Sequence, residues 1–222
     1  MKIDKTYIIN MEHRTDRKEN IIKQLAKVNI TDFAFFKGIK ATPEQMQQWN
    51  PNYLNPLPSW YHGPPQPYRL GAFGCMMRHI HIIKHAYEQN YNYILILEDD
   101  TEFLFDIPFE EKMKEYAILD QIDFGIFYLV GNNKFMGGRM IRPLQNNIYA
   151  TRGTATTGSY IISRKAMKLV LDTINHYPRE IDIYYIEVIQ QKMPCFVLIP
   201  PIAKQIVSHS DIVSRTTSYN LS

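Results

Sequence analysis

The chain has 222 residues, of which 45% are hydrophobic and 21% charged, with a formal net charge of +3. These are globular values at the size of one ordinary α/β domain, so a mostly disordered or fibrous chain and a second full domain are both excluded as expectations. So small a charge makes no case for a nucleic-acid partner, which would show a clustered basic stripe.

A chain this long buries roughly 70% of its unfolded surface without staples. Cys75 and Cys195, its only cysteines, form neither a disulfide framework nor a cysteine-rich zinc site. The first apolar stretch, Tyr7-Ile-Ile9, is too short for a signal segment. No window approaches the roughly 18–20 apolar residues of a membrane helix. The expectation is a soluble, cytoplasmic chain in a reducing compartment.

Strand-like and helix-like segments alternate, which favours an α/β layer fold. Lys5–Asn10 reads as the first strand. Asp16 with Glu19 three residues on resembles a capping box, and Ile21, Ile22, Leu25 and Val28 follow at helical spacing. Phe33–Phe36 reads as a second strand. Thr42-Pro-Glu-Gln45 is a helix start, with a hydroxyl cap, proline at the first helical position and glutamine to close the box.

Residues 50–70 then carry Pro51, Pro56, Pro58, Pro64, Pro65 and Pro67 among Tyr53, Trp60, Tyr61 and Tyr68. That proline density predicts neither helix nor central strand. A loop so long in a compact domain is functional or disordered, and its aromatics favour function.

Gly71–Gln89 reads as a helix with Ala72, Cys75, Met76, His79, Ile82, Ile83 and Ala86 on one face. Tyr93–Leu97 is continuously apolar, as a strand covered on both faces should be. Further strands are expected at Phe124–Val130, Tyr160–Ile162 and Cys195–Ile199. Helices are expected through Leu169 and Val170 and around Tyr184–Gln191, and residues 213–222 form a tail.

The sharpest feature is the arrival of Glu98-Asp99-Asp100 at the carboxyl end of the most apolar strand. Ligands of open α/β sheets bind outside such strand ends. Alternation puts Glu98 and Asp100 on one face and Asp99 on the other. Hard divalent cations take oxygen ligands, and Mg²⁺ uses one or two carboxylates plus substrate phosphates. Three acids here suit a metal-bound diphosphate; a solvated acidic turn is the alternative. No G-x-G-x-x-G follows the first strand and no G-x-x-x-x-G-K-[ST] occurs anywhere. Nucleotide phosphates would therefore be held by a cation and basic side chains, with Arg14 and Arg17 as candidates. His81 and His85 stand at i and i+4, but Ile-Ile-Lys between them lacks the glutamate of a zinc helix, so they read as a polar face.

Several pieces in order carry a resemblance. They are Ile8-Ile-Asn10 with Arg14 and Arg17, Gly71-Ala-Phe-Gly-Cys75 with His79, Leu97-Glu-Asp-Asp100, and Asp123 before a strand ending in Leu129. Ser159-Tyr-Ile-Ile-Ser163, Pro178 through Asp182, and Pro200-Pro201 through Gln205 to Ser210-Asp-Ile212 complete the series. In that order they resemble glycosyltransferase family 25, from about Tyr7 to Ile212.

The resemblance implies a single GT-A-type domain over residues 1–222, with a mixed, mostly parallel sheet flanked by helices. It further implies an inverting hexosyltransferase using Mn²⁺ or Mg²⁺ and a UDP-sugar, UDP-galactose or UDP-glucose. The acceptor hydroxyl would lie on a glycan, a lipid-linked saccharide or a protein, and only that acceptor would bring the chain to a membrane.

Under it, Asp182 is the first candidate for the base. Asn10, Arg14, Arg17, His79, Glu98, Asp99 and Gln205 are donor-binding candidates, and Asp100 with His209 the metal ligands. Residues 50–70 would form an acceptor-side lid. Ala72 and Arg78 depart from the family's usual Glu and Ser, and Gly158 stands where relatives often carry a larger residue. A degenerate nucleotide-sugar or glycan binding module is the alternative; a metal-dependent phosphoester hydrolase would need more than one acidic cluster.

Overall fold

The computed structural model describes residues 1–37, 40–133, 142–206, 208–210 and 215–217, the last two stretches and Lys37 by backbone alone. The first strand, β1 (Lys5–Asn10), is followed by α1 (Thr15–Lys27), β2 (Phe33–Lys37), α2 (Pro43–Trp49) and α3 (Pro65–Glu88). Then come β3 (Tyr93–Glu98), β4 (Thr101–Phe103), α4 (Phe109–Lys114), β5 (Ile126–Tyr128), β6 (Arg142–Gln145), β7 (Ile148–Thr151), β8 (Ser159–Ser163) and α5 (Arg164–Thr173). The chain continues through α6 (Ile181–Tyr184), a π-helical turn (Tyr185–Ile189), α7 (Gln190–Lys192), β9 (Cys195–Leu198), β10 (Ala203–Gln205), β11 (Ser208–Ser210) and β12 (Arg215–Thr217).

The eight-stranded sheet runs β2-β1-β3-β8-β5-β9-β7-β6. β1 is parallel to β2 and β3, and β5 is parallel to β9. β8 is antiparallel to β3 and β5, and β7 to β9 and β6. All strands but β8 and β7 therefore point the same way, in the mixed α/β arrangement expected of a GT-A-type sheet. β4 pairs with β10, and β11 with β12, in two small separate sheets.

Alternation along each strand divides the core. Tyr7, Ile9, Ile94, Ile96, Tyr128, Tyr160 and Ile162 face α3 and α5. Ile8, Leu95, Leu97, Phe127 and Ile161 face the opposite layer, with Ile21 and Leu25 of α1 and Phe109 and Met113 of α4. Ile94–Leu97 are all fully buried, which is why β3 reads as an uninterrupted apolar run.

Local chemistry explains where elements begin. Thr42 caps α2 with the full capping box, accepting from the Gln45 N–H while Gln45 returns a bond to the Thr42 N–H. Asp16 makes no such box: Arg14 is the cap residue, and Asp16 sits in the first turn of α1, held by the Arg14 guanidinium. α3 starts at Pro65 rather than Gly71. Pro65 and Pro67 are tolerated because first-turn N–H groups have no intrahelical partner to lose. β5 is shorter than Phe124–Val130, since only Ile126–Tyr128 lies between two paired strands. The helix expected at Tyr184–Gln191 starts at Ile181, and Cys195–Leu198 is not the last strand.

The segment before α3 is packed. Tyr53 and Leu54 are buried, with Tyr53 edge-on to Phe73 at 5.4 Å. Leu54 N–H donates to the Pro178 carbonyl at 2.8 Å and Trp49 Nε1 to that of Tyr177 at 3.0 Å. Tyr68 Oη donates to Glu180 Oε1 at 2.9 Å. Trp49, Leu54 and Tyr68 thus tie this part of the chain to residues 177–180, immediately before Asp182.

Candidate active site

β3 ends at Glu98, and the chain turns through Asp99 and Asp100 into β4. β8 runs antiparallel to β3, so its amino end reaches the same sheet edge, with Ser159 opposite Leu97. β10 arrives alongside β4 and sets Gln205 opposite Thr101. Three remote segments therefore converge where β3 delivers its acids.

The acids divide as alternation predicts. Asp99 is buried and accepts from Asn10 Nδ2 at 2.8 Å and from Arg17 Nη1 at 3.0 Å. Glu98 and Asp100 share Gln205, whose Nε2 donates to Glu98 Oε2 at 3.1 Å and to Asp100 Oδ1 at 3.3 Å. Arg17 reaches both sides, its Nη1 also lying 3.5 Å from Asp100 Oδ2. Thr157 Oγ1 donates to Glu98 Oε1 at 3.1 Å.

Burial, then the adjacent Asp100 charge, pushes the Glu98 carboxyl up to about 8. Asp100 is raised by burial too, against the opposing pull of the Arg17 guanidinium. Crowding carboxylates in a desolvated corner favours protonation unless positive charge arrives.

Asp182 is tied to this corner through three consecutive residues. The Thr156 N–H donates to Asp182 Oδ2 at 3.4 Å, and the Ile183 N–H to Oδ1 at 2.9 Å. The Thr157 hydroxyl holds Glu98, and the Gly158 carbonyl accepts from the Glu98 N–H at 2.8 Å and from Thr101 Oγ1 at 3.1 Å. Burial raises the Asp182 carboxyl above the ordinary value of 3.8, opposed by the two backbone N–H groups.

Asn10, Arg17, Glu98, Asp99, Asp100 and Gln205 are therefore brought together. Arg14 stands at the cap of α1 with its side chain forked onto Asp16 and its carbonyl accepting from Asn10 Nδ2 at 3.2 Å. His79 is fully buried, with Nδ1 2.8 Å from Tyr160 Oη, and burial pushes it down to about 3. The His209 backbone pairs with Thr216 in the β11–β12 hairpin, but its side chain lies outside the described residues, as does the tail apart from Arg215–Thr217. His81 and His85 are both exposed, and His85 Nδ1 meets Tyr7 Oη at 2.8 Å.

Sequence reasoning missed Thr157, a hydroxyl in a loop with no motif around it. It met Gly158 only as a departure from pattern, and the structure supplies the reason. A Cβ there would stand 2.9 Å from Gln205 Cδ and 3.1 Å from its Cγ and Nε2. The missing side chain is the space in which Gln205 lies.

The tethered acid cluster thus lies at the carboxyl edge of the central strand, where open α/β sheets bind their ligands. The profile described as Glycosyltransferase family 25 (LPS biosynthesis protein) matches residues 3–185, and the chain belongs to that family. It is 25% identical over 180 residues to Procollagen galactosyltransferase 1-B of Xenopus laevis, covering 78% of this chain and 28% of that protein. It is also 25% identical over 182 residues to Procollagen galactosyltransferase 2 of Homo sapiens, covering 77% and 28%. A Haemophilus influenzae relative is 27% identical over 179 residues, covering 79% and 59%.

The chain thus spans little more than a quarter of the procollagen relatives' length and under two thirds of the bacterial one. Among solved structures, UDP-glucose pyrophosphorylase complexed with UDP-glucose superposes with a TM-score of 0.47 at 9% identity, covering 89% and 90% of the two chains. A197 from STIV gives 0.48 at 11% identity, covering 92% and 85%. At such scores these likenesses add nothing to the topology described above. Among the described residues no helix is long and apolar enough to cross a membrane.

Proposed function

We propose that this chain is an inverting, metal-dependent hexosyltransferase that moves galactose or glucose from a UDP-sugar to an acceptor hydroxyl. The domain would comprise residues 1–222. One observation carries the reading: Thr156, Thr157 and Gly158 join the separate carboxylate Asp182 to the acid cluster Glu98–Asp100 in a single hydrogen-bonded frame. A transferase needs those two functions side by side, a place for a charged leaving group and a base for the incoming hydroxyl.

The donor set fits a hard cation. Glu98 and Asp100 offer carboxylate oxygens that converge on one amide, burial and then neighbouring carboxylate charge raise both their pKa values, and Gln205 Oε1 is buried with no hydrogen-bond partner among the described residues. Asp100 and Glu98 would hold Mn²⁺ or Mg²⁺, which when bound supplies positive charge to the leaving diphosphate. His209 is kept as a further candidate ligand.

The chain's own residues do the rest. Arg17 stays fixed by Asp99 and Asp100 and offers a guanidinium to phosphate oxygens. Asn10 locks Asp99 in place, so Arg17 meets a rigid partner. Arg14, at the start of α1, is the second basic candidate.

Asp182 accepts the proton of the attacking hydroxyl. Its burial weakens its hydration and makes it a better proton acceptor than a surface aspartate. The packed segment before α3 presents Trp60, 47% exposed, edge-on to Tyr61 and Tyr68. Since Tyr68 bonds to Glu180, this aromatic surface borders the base and suits an acceptor saccharide, whether glycan, lipid-linked or on a protein.

The test is UDP release with Mn²⁺ across a panel of UDP-sugars, with and without acceptor hydroxyls. Metal-dependent release from one donor, lost in Asp100→Ala, supports the reading. Donor binding without turnover under every acceptor condition would indicate a binding module instead. No release, together with no UDP-dependent rise in melting temperature, would sink the donor site.

A further inference from the structure

Behind the acid cluster lies a group with a different chemistry. A thiol sulfur of Cys75, an imidazole nitrogen of His79 and a carboxylate oxygen of Glu98 all lie within 4.8 Å of one another. Cys75 and His79 are four residues apart on α3 and therefore share a helix face. Glu98 is presented to that face by the end of β3. Helix and sheet together build the group; neither could alone.

We propose that Cys75, His79 and Glu98 form a site for a thiophilic divalent cation of the Zn²⁺ type, sharing Glu98 with the acid cluster. Mixed sulfur, nitrogen and oxygen donors select such an ion over Mg²⁺ or Mn²⁺. Three protein ligands leave a fourth, open position for water or another ligand. Ligands around tetrahedral zinc stand about 3.3–3.8 Å apart. Closing from 4.8 Å asks for about 1 Å of adjustment, which the part-buried, single-torsion Cys75 side chain can make.

The histidine gives the independent support. It is fully buried, and Nε2 has no hydrogen-bond partner among the described residues. Buried polar atoms in that state are rare and call for an explanation. Its other nitrogen, Nδ1, meets Tyr160 Oη at 2.8 Å, which in turn meets Tyr185 Oη at 2.9 Å. When Nδ1 donates into that tyrosine chain, Nε2 carries the lone pair. An outer partner that fixes the tautomer is the usual support of a metal-binding histidine. Burial also keeps the ring neutral, as a ligand must be.

Glu98 is similarly braced, Oε1 by the Thr157 hydroxyl and Oε2 by the Gln205 amide. Each of its oxygens keeps a second lone pair. Arg78 lies close enough to act on all three groups and opposes a cation there. The thiolate and carboxylate supply two negative charges against it.

Burial holds the Cys75 thiol protonated, up to about 12. Binding breaks that S–H bond and, below about pH 8, the O–H bond of Glu98 as well; the protons go to solvent, sulfur–metal and oxygen–metal bonds form, and no oxidation state changes.

The site stands or falls separately from sugar transfer, because its signature is a sulfur ligand. Titrating the purified chain with Co²⁺ should raise a thiolate-to-cobalt charge-transfer band in the near ultraviolet. It should saturate at one equivalent and be displaced by Zn²⁺. Cys75→Ser should abolish the band and weaken Zn²⁺ binding at least tenfold, while Cys195→Ser and Asp100→Asn should leave the band in place. Should Cys75→Ser not fold, Cys75→Ala removes the sulfur without adding a hydroxyl. A wild-type chain with no band, or a band that survives loss of Cys75, overturns the proposal. Loss of the band in Asp100→Asn would place the ion in the acid cluster and overturn it as well.

Discussion

Gly158→Ala is the most informative single change. Gly158 does not adopt a left-handed φ, so alanine there meets no backbone strain; it meets Gln205, with its Cβ 2.9 Å from Cδ and 3.1 Å from Nε2. The obstacle is the far end of a flexible side chain, so Gln205 swings away and the fold survives. At an unstrained position Gly→Ala itself stabilises by about 0.4–1 kcal/mol through the unfolded chain. The melting temperature should therefore move by no more than about 4 °C, given about 2–4 °C per kcal/mol for a chain of this size.

The site loses more. Displaced Gln205 releases its bonds to Glu98 and Asp100. A hydrogen bond to a charged group is worth about 1.5–3 kcal/mol net. Both bonds come from one amide nitrogen, so one such loss is the fair count. That predicts a fall in kcat/KM of roughly 10- to 150-fold.

The assay is metal-dependent UDP release by Gly158→Ala, Gln205→Ala and the double variant. If Gly158 acts only by making room for Gln205, the second substitution adds almost nothing to the first, and the cycle shows strong non-additivity. Losses that simply add, or a Gly158→Ala enzyme with full activity, would refute the reasoning.

Other outcomes follow from the same geometry. Asp182→Asn should abolish turnover while retaining UDP-sugar binding by calorimetry; lost binding with the fold intact would move Asp182 out of the base role. Burial raises the Asp182 pKa above 3.8, so folding favours its protonated form. Its contribution to stability is present at low pH and lost as pH rises through the folded value. The melting temperature of wild type relative to Asp182→Asn should thus decline with pH over that window, and a rising difference would contradict it.

Arg17→Ala should destabilise the apo chain by about 3–5 kcal/mol, because it strands buried carboxylates. Chemical denaturation checks this, and a loss under 1 kcal/mol would show that the pair is well hydrated. Tyr160→Phe leaves His79 Nδ1 unpartnered in the core and should cost about 1–3 kcal/mol in the same experiment.

Much of this protein is legible in one dimension. The uninterrupted apolar run Tyr93–Leu97 announces a strand buried on both faces, and the acids after it mark a carboxyl edge. Thr42 and Gln45 close a capping box that any reader of the chain would expect. Period-two alternation also sends Asp99 to Asn10 and Arg17 while Glu98 and Asp100 turn together to Gln205. These are local facts, set by backbone geometry and by where apolar side chains must go.

The rest is settled by non-local contacts that no spacing encodes. An antiparallel β8 brings Thr156–Gly158 to the edge where the parallel strands end, and so couples Asp182 to Glu98 across 84 positions of sequence. Pro65 and Pro67 enter a helix because its first turn has no N–H bonds to lose, so composition alone misplaces that start. Cys75 and His79 share a helix face by their spacing, but only the docking of that helix on β3 gives them Glu98. Local periodicity decides what a segment becomes; the burial of both sheet faces decides which segments meet, and the chemistry lies where they meet.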